Sequence, residues 1–135
     1  MNASAGKEVA SPDSTLLVVE NNVIIRMAVS AYLRECGYKV VEASDGAEAM
    51  LVLEADIKID VVLTEVDLPG KMDGFVLATW IRREHPAIKV VLTSGVKRCA
   101  KDAGTLCEEG PVLDKPYDHG HLERHIRQLL AAGAA

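Results

Sequence analysis

Asp60 to Gly74 reads DVVLTEVDLPGKMDG, and this stretch carries the clearest indication of the fold. A short apolar run ends at Glu65 and is followed by Pro69, two glycines and further acids, which predicts a buried parallel strand leading into a non-helical loop. Ligands bind at the carboxyl edge of open parallel sheets, because strand-exit loops and helix N-termini converge there. The stretch therefore predicts acidic chemistry at a ligand-binding edge. A solvated turn is the alternative interpretation.

Further apolar runs on both sides of this stretch alternate with helical patterns. The other predicted strands are Thr15–Val19, Lys39–Ala43, Ile88–Thr93 and Pro111–Asp114. The predicted helices are Val23–Cys36, a helix that starts at Ser44-Asp45-Gly46 and carries Ile57, then Gly74–Glu84, Lys97–Glu109 and a final helix carrying Leu122 to Leu130. Five strands alternating with five helices predict an α/β fold with a doubly wound parallel sheet. We expect one domain over residues 14–131, with tails at 1–13 and 132–135.

Polar residues end three of the other predicted strands. Glu20 follows the first strand, Ser94 follows the fourth, and Lys115 follows the fifth. The carboxyl ends of parallel strands meet at one edge of a sheet, so these side chains are expected to lie near Glu65. The sequence thus predicts a mixed site of carboxylates, a hydroxyl and an ammonium group.

The composition excludes several classes of function. The chain has 135 residues and a net charge of −5, without the clustered Lys and Arg that a nucleic-acid surface needs. It has neither a signal-peptide pattern nor a long apolar segment, which predicts a cytoplasmic protein that does not insert into a membrane. Three cysteines without C-x-x-C spacing suggest neither a disulfide framework nor a zinc knuckle.

Histidines near the C-terminus offer a separate metal hypothesis. His121 and His125 share one helix face at i,i+4 spacing, and His119 lies just before them. That spacing can hold zinc, but no third ligand follows the pattern. A solvated helix face is the competing interpretation.

The motifs at the strand ends resemble those of response regulator receiver domains of two-component signalling. The resemblance covers about Ser14 to Leu130 and rests on four pieces: LLVVE ending at Glu20, VLTEVDLP with MDG ending at Gly74, TSG ending at Gly95, and DKP ending at Pro116. It implies a flavodoxin-like (βα)5 three-layer sandwich with sheet order 2-1-3-4-5. It also implies a Mg²⁺ ion and transfer of a phosphoryl group from a histidine kinase to an aspartate.

The resemblance assigns roles to several residues of this chain. Ser94 and Lys115 match the family's phosphoryl contacts, Glu20 matches an acidic metal-site residue, and the backbone carbonyl of Asp67 matches a further metal contact. The Lys115-Pro116 bond resembles the family's cis peptide. An extra residue near Gly70-Lys71 lengthens the following loop, a variation that the family tolerates.

Three positions depart from the family pattern. Glu65 replaces the phosphoacceptor Asp, Asn21 replaces the acid that binds the metal, and Val112 replaces the Tyr or Phe of the switch. One extra methylene adds about 1.5 Å of reach and displaces the attacking oxygen, so reactivity should fall steeply. A neutral amide is a weak ligand for Mg²⁺. We therefore expect no cofactor, or weakly bound Mg²⁺, and no enzyme activity.

These departures favour a constitutive protein-binding module in which Glu65 pairs with Lys115. A working phosphoacceptor at Glu65, Asp67 or Asp73 is the second hypothesis, and a flavodoxin-like enzyme or cofactor carrier is the third. The expected partners are a sensor histidine kinase or another signalling protein. Homodimerisation is expected through the fourth predicted helix, the fifth strand and the final helix, a face from about Lys97 to Gln128 that carries Glu123, Arg124 and Arg127 among its charges.

Overall fold

A computed structural model describes residues 14–94, 113–114 and 118–134. The elements are β1 (Thr15–Val19), α1 (Val23–Glu35), β2 (Lys39–Ala43), α2 (Gly46–Glu54), β3 (Val61–Glu65), α3 (Gly74–Glu84), β4 (Lys89–Ser94), β5 (Leu113–Asp114) and α4 (His119–Ala134). The helix predicted from Lys97 to Glu109 lies outside the described residues, so α4 denotes the C-terminal helix. All strand pairs are parallel, and the sheet order is β2-β1-β3-β4-β5. The flavodoxin-like α/β fold is confirmed.

Short polar side chains start three of the helices. Asn22, Asp45 and Asp73 each accept a hydrogen bond from the backbone N–H three residues later, at 2.8 to 3.0 Å. These N-caps satisfy backbone donors that have no partner inside the helix. Helix α1 ends at Glu35, and two residues later Gly37 turns the chain with a φ of 105°, which suits glycine and few other residues. These capped starts of α1, α2 and α3 follow shortly after the carboxyl ends of β1, β2 and β3.

The core has two layers, one on each face of the sheet. Successive strand residues point to opposite faces, so Leu17 and Val62 pack towards α2 and α3, whereas Leu16 and Leu63 pack towards α1 and α4. Both faces of the sheet are thus covered, which explains why the strands are continuous apolar runs. No helix in the described part of the chain is long and apolar enough to span a bilayer.

Two details of the helices differ from the sequence-based expectation. Helix α2 ends at Glu54, so Ile57 lies beyond it and is exposed. Helix α4 continues to Ala134, beyond Leu130, the last residue named for the predicted final helix, while the domain bounds of 14–131 stay a prediction.

Helix α1 buries only some of its apolar residues. It packs Val29, Ser30 and Leu33 inward, while Ile24 and Met27 are 73% and 58% exposed. Only one side of this helix can face the sheet, and its sequence carries more apolar residues than that side can cover.

Candidate functional site

The carboxyl ends of β1, β3 and β4 lie side by side and bring three of the predicted site residues to one edge. Val19 of β1 is paired with Thr64 of β3, and Glu65 is paired with Thr93 of β4. Glu20, Glu65 and Ser94 are all buried at these strand ends. The expected grouping is therefore present, while the chemical role of each residue remains a prediction.

Glu65 is the last residue of β3 and is only 7% exposed. Its Oε2 accepts a hydrogen bond of 2.9 Å from the backbone N–H of Asn21, a residue 44 positions earlier in the chain. Hydrogen bonds from backbone N–H groups to carboxylates are charge-assisted and stronger than those between neutral groups. The longer glutamate side chain thus joins the end of β3 to the loop between β1 and α1.

Glu20 is held in the same loop by a second carboxylate contact. Its Oε2 accepts a hydrogen bond of 3.0 Å from the backbone N–H of Asn22. Arg26 donates to the Glu20 carbonyl oxygen through Nη1 at 2.8 Å, and its Nε lies 3.2 Å from Glu42 Oε1. This arginine was not predicted as a site residue. It holds the backbone of Glu20 and at the same time contacts Glu42 of β2. No short sequence motif predicts this contact.

The side chains of Ser94 and Asp67 approach each other across the ends of β4 and β3. Ser94 Oγ lies 3.5 Å from Asp67 Oδ2, a long contact, and Ser94 is fully buried whereas Asp67 is exposed. The predicted site residues Lys115 and Val112, and the Lys115-Pro116 bond, lie outside the described residues. The expected contact between Glu65 and Lys115 therefore stays a prediction.

Gly74 allows the start of α3 to pack closely against the backbone of Glu65. A Cβ atom at this position would lie 2.2 Å from the carbonyl oxygen of Glu65, and the Gly74 N–H donates to the Val66 carbonyl at 2.8 Å. Any larger residue would force α3 away from the end of β3. The Asp73-Gly74 pair therefore caps α3 and also positions the backbone of Glu65.

The described side chains at this edge fit a Mg²⁺ ion poorly. The Glu20 and Glu65 carboxylates each accept a backbone N–H, and Asn21 supplies a neutral amide whose Nδ2 lies 3.5 Å from the Ser44 carbonyl. Magnesium needs several oxygen ligands in near-octahedral geometry. Within the described residues, no three His, Cys, Asp or Glu side chains could hold a metal ion together. His121 and His125 likewise belong to no such group of three in the described part of the chain, so the structure adds no support to the zinc hypothesis.

A second polar cluster, which sequence reasoning missed, joins α4 to the residue before β2. Tyr38 donates a hydrogen bond of 2.9 Å to Oε2 of Glu123, which is only 3% exposed. Arg127 contacts both oxygens of the same carboxylate, with Nε at 3.1 Å from Oε2 and Nη2 against Oε1. Burial and the bond to Glu123 raise the pKa of Tyr38 above its usual value.

This cluster corrects one sequence-based expectation. Glu123 was expected as a surface charge of an interface, but it is an internal anchor whose charge is already balanced. The i,i+4 spacing to Arg127 predicts an ion pair. The second partner of the buried carboxylate, Tyr38, is 85 residues away from Glu123 in the chain.

Comparisons with known proteins bear on this fold and site. A family model described as "Response regulator receiver domain" matches residues 16–127. The chain is 37% identical over 123 residues to the sensor kinase CckA of Brucella abortus, covering 89% of this chain and 13% of that protein. The first curated relatives are matched over 13% to 48% of their own length.

Solved structures of receiver domains and response regulators superpose on this chain. The signal receiver domain of an HD domain-containing protein from Pseudomonas fluorescens superposes with a TM-score of 0.82 at 26% identity, covering 90% of this chain and 98% of that one. The response regulator TrrA from Thermotoga maritima, solved in complex with Mg²⁺ and BeF, superposes with a TM-score of 0.77 at 24% identity, covering 86% and 98%. The second likeness concerns the fold alone.

Proposed function

Because this chain belongs to the response regulator receiver domain family, we propose that it is a two-component signalling module that works without phosphorylation, through protein–protein interaction. Receiver domains are signalling modules rather than enzymes in general, and we extend that to this chain. The proposed location is the cytoplasm. The proposed partner is a sensor histidine kinase or another signalling protein, a class to which the kinase relative from Brucella abortus belongs.

The observation that carries the proposal is the hydrogen bond between the Glu65 carboxylate and the Asn21 backbone N–H. A phosphoacceptor must present a free oxygen in line with the incoming phosphorus, and small displacements reduce the rate strongly. For Oε2 to take such a position, it would have to give up this hydrogen bond to a charged acceptor, which costs about 1.5–3 kcal/mol. In the proposed role, the Glu65 carboxylate links β3 to the β1–α1 loop through this hydrogen bond and does not accept a phosphoryl group.

Weak metal binding follows from the same contacts. Phosphoryl transfer to a carboxylate depends on a divalent cation that absorbs the moving charge. When bound, Mg²⁺ would be held by the Glu20 carboxylate and the Asp67 carbonyl, with Asn21 as a poor third ligand.

An exposed apolar stripe on α1 supports protein binding as the output. Val23, Ile24 and Met27 are more than half exposed and lie in the first turns of the helix, directly after Asn21 and Asn22. Exposed apolar patches of this kind mark interaction sites. The face expected from Lys97 to Gln128 stays a second proposal for homodimerisation, with Arg124 exposed on its described part.

The test is labelling of the purified protein with acetyl phosphate and Mg²⁺, followed by intact mass measurement. We expect no added phosphoryl group. One added group in high yield, removed by hydroxylamine, would show a working acceptor and would replace the proposed function by conventional phosphorylation. Absorbance of added flavin mononucleotide, which should not shift, checks the cofactor-carrier alternative.

A further inference from the structure

We propose that a groove along α3 docks an amphipathic helix of a partner protein that carries acidic residues beside its apolar anchors. The groove is an open cavity of about 310 Å³ lined by Met72, Phe75, Val76, Thr79, Trp80 and Arg83. It lies on the face of the sheet opposite α1 and α4. This inference is independent of the proposed function, because it uses none of the residues at the Glu65 edge.

The lining of the groove forms an elongated strip, because most of its residues lie along one side of α3. Val76, Thr79, Trp80 and Arg83 follow helical spacing along one side of α3, over about 10 Å of its axis. A second cavity of about 300 Å³, between the start of α2 and the loop before α3, shares Met72 with the first and lengthens the surface. Apolar anchors at i, i+4, i+7 and i+11 of a partner helix would cover such a strip.

A macromolecular occupant fits better than a small molecule. Small-molecule pockets enclose most of their ligand, whereas this groove is open and Val76 on its rim is 50% exposed. Phe75 and Trp80 are partly buried against the core, so they offer a firm aromatic floor. Met72 adds an adaptable side chain at the junction of the two cavities.

The charge of the groove defines the chemistry of the partner. Arg83 is the charged side chain of the α3 groove, and exposed Lys71 lines the second cavity. Arg83 Nε lies 3.0 Å from Glu84 Oε2, but both side chains are about half exposed or more, so this pair is weak and exchangeable. Asp45 also lines the second cavity, with its Oδ1 engaged as the α2 N-cap. The linings of the two cavities together carry Arg83 and Lys71 against Asp45, so this surface is more positive than the chain as a whole, whose net charge is −5, and it favours acidic partners.

Trp80 makes the proposal directly measurable, since it is the single tryptophan of the chain. The probe is a synthetic helical peptide with Leu at i, i+4, i+7 and i+11, Glu on both flanks and no Trp. Two matched peptides serve as controls, one with the same composition in scrambled order and one with Lys in place of Glu. Titrations of the full chain are run in one buffer at one pH.

We expect saturable change of Trp80 emission with the acidic peptide and none with the scrambled peptide. Arg83→Glu should weaken binding of the acidic peptide at least about tenfold and should create binding of the Lys peptide. Arg82→Glu is the matched control on the same helix, outside the groove lining, and should change affinity less than about twofold. Arg83→Gln, with a smaller loss, keeps the test valid if charge reversal alters the helix.

Four results would overturn the proposal, and the last of them is self-association. The first is the absence of a saturable signal with the acidic peptide. The second is an equal response to the scrambled peptide, and the third is an equal loss in the Arg82 and Arg83 variants. A Trp80 signal that changes with protein concentration alone, together with dimers in sedimentation, would assign the groove to a second copy instead of an acidic partner.

Discussion

Glu65 and Glu123 are both almost completely buried, yet their carboxylates are satisfied in opposite ways. Glu123 is enclosed by the side chains of Tyr38 and Arg127, which balance its charge. Glu65 accepts a backbone N–H from Asn21, in a loop at the ligand edge of the sheet. The Glu123 carboxylate is saturated by its own fold, whereas the Glu65 carboxylate lies at the strand-end edge where we propose the counterpart of the family's phosphoryl site. Burial alone therefore does not distinguish the two glutamates, whereas their positions relative to the strand ends do.

The sharpest way to test this comparison is to restore the family residues at the ligand edge. The double variant Glu65→Asp with Asn21→Asp should gain at least about tenfold in labelling by acetyl phosphate, because the acceptor shortens and a metal ligand returns. Intact mass measures the gain. The matched control is Glu123→Asp, the same change at the other buried glutamate, which should add no labelling. A folded double variant that stays unlabelled would show that these two positions are not what blocks the reaction.

Removal of the cation that balances Glu123 should give the largest loss of stability. Arg127→Met leaves a buried carboxylate without its ion pair and should lower the free energy of unfolding by about 2–3 kcal/mol, less than for a fully buried pair because Arg127 is 40% exposed. Urea denaturation measures the change. Arg124→Met on the exposed side of α4 is the control and should stay within about 0.5 kcal/mol. Equal effects of the two substitutions would contradict the anchoring role of Arg127.

Replacement of each buried glutamate by glutamine should show how strongly the stability of each region depends on the carboxylate charge. Glu123→Gln loses the charge that holds Arg127 and should cost about 1–2 kcal/mol. Glu65→Gln keeps a carbonyl oxygen that can accept the Asn21 N–H, so its cost should be about 0.5–1 kcal/mol. Thermal and urea unfolding of the two variants give the ranking. The comparison fails if Glu65→Gln is the more damaging change.

The smallest effect is confined to alkaline pH. The folded state raises the pKa of Tyr38 above its usual value of 10.0, so the hydroxyl ionises more readily in the unfolded chain. Stability from Tyr38 is therefore complete below pH 10 and falls as the pH rises further, by about 1 kcal/mol between pH 9 and pH 11. Urea denaturation of Tyr38→Phe, compared with the natural chain at each pH, isolates this contribution. Parallel pH curves for the two proteins would count against it.

Most of the fold could be predicted because local sequence signals agree with the tertiary structure. The apolar runs of Thr15–Val19 and Lys39–Ala43 match β1 and β2, and the caps at Asn22 and Asp73 stand where helices α1 and α3 begin. The inward side of α1 could not be predicted in the same way. Val23, Ile24 and Met27 are as apolar as core residues, and only the position of the sheet shows that they face outward.

The sequence by itself determined the alternation of strands and helices, and with it the edge at which Glu20, Glu65 and Ser94 meet. Those features depend on periodicity and on residues that start or stop an element, which act over a few positions. Tertiary structure alone decided the distant partners of these carboxylates. The Asn21 N–H reaches Glu65 across 44 positions and Tyr38 reaches Glu123 across 85, and contacts over such distances follow from strand order and helix packing. Hydrogen-bond partners of buried charges are properties of the assembled chain, because no local pattern encodes which distant donor will arrive.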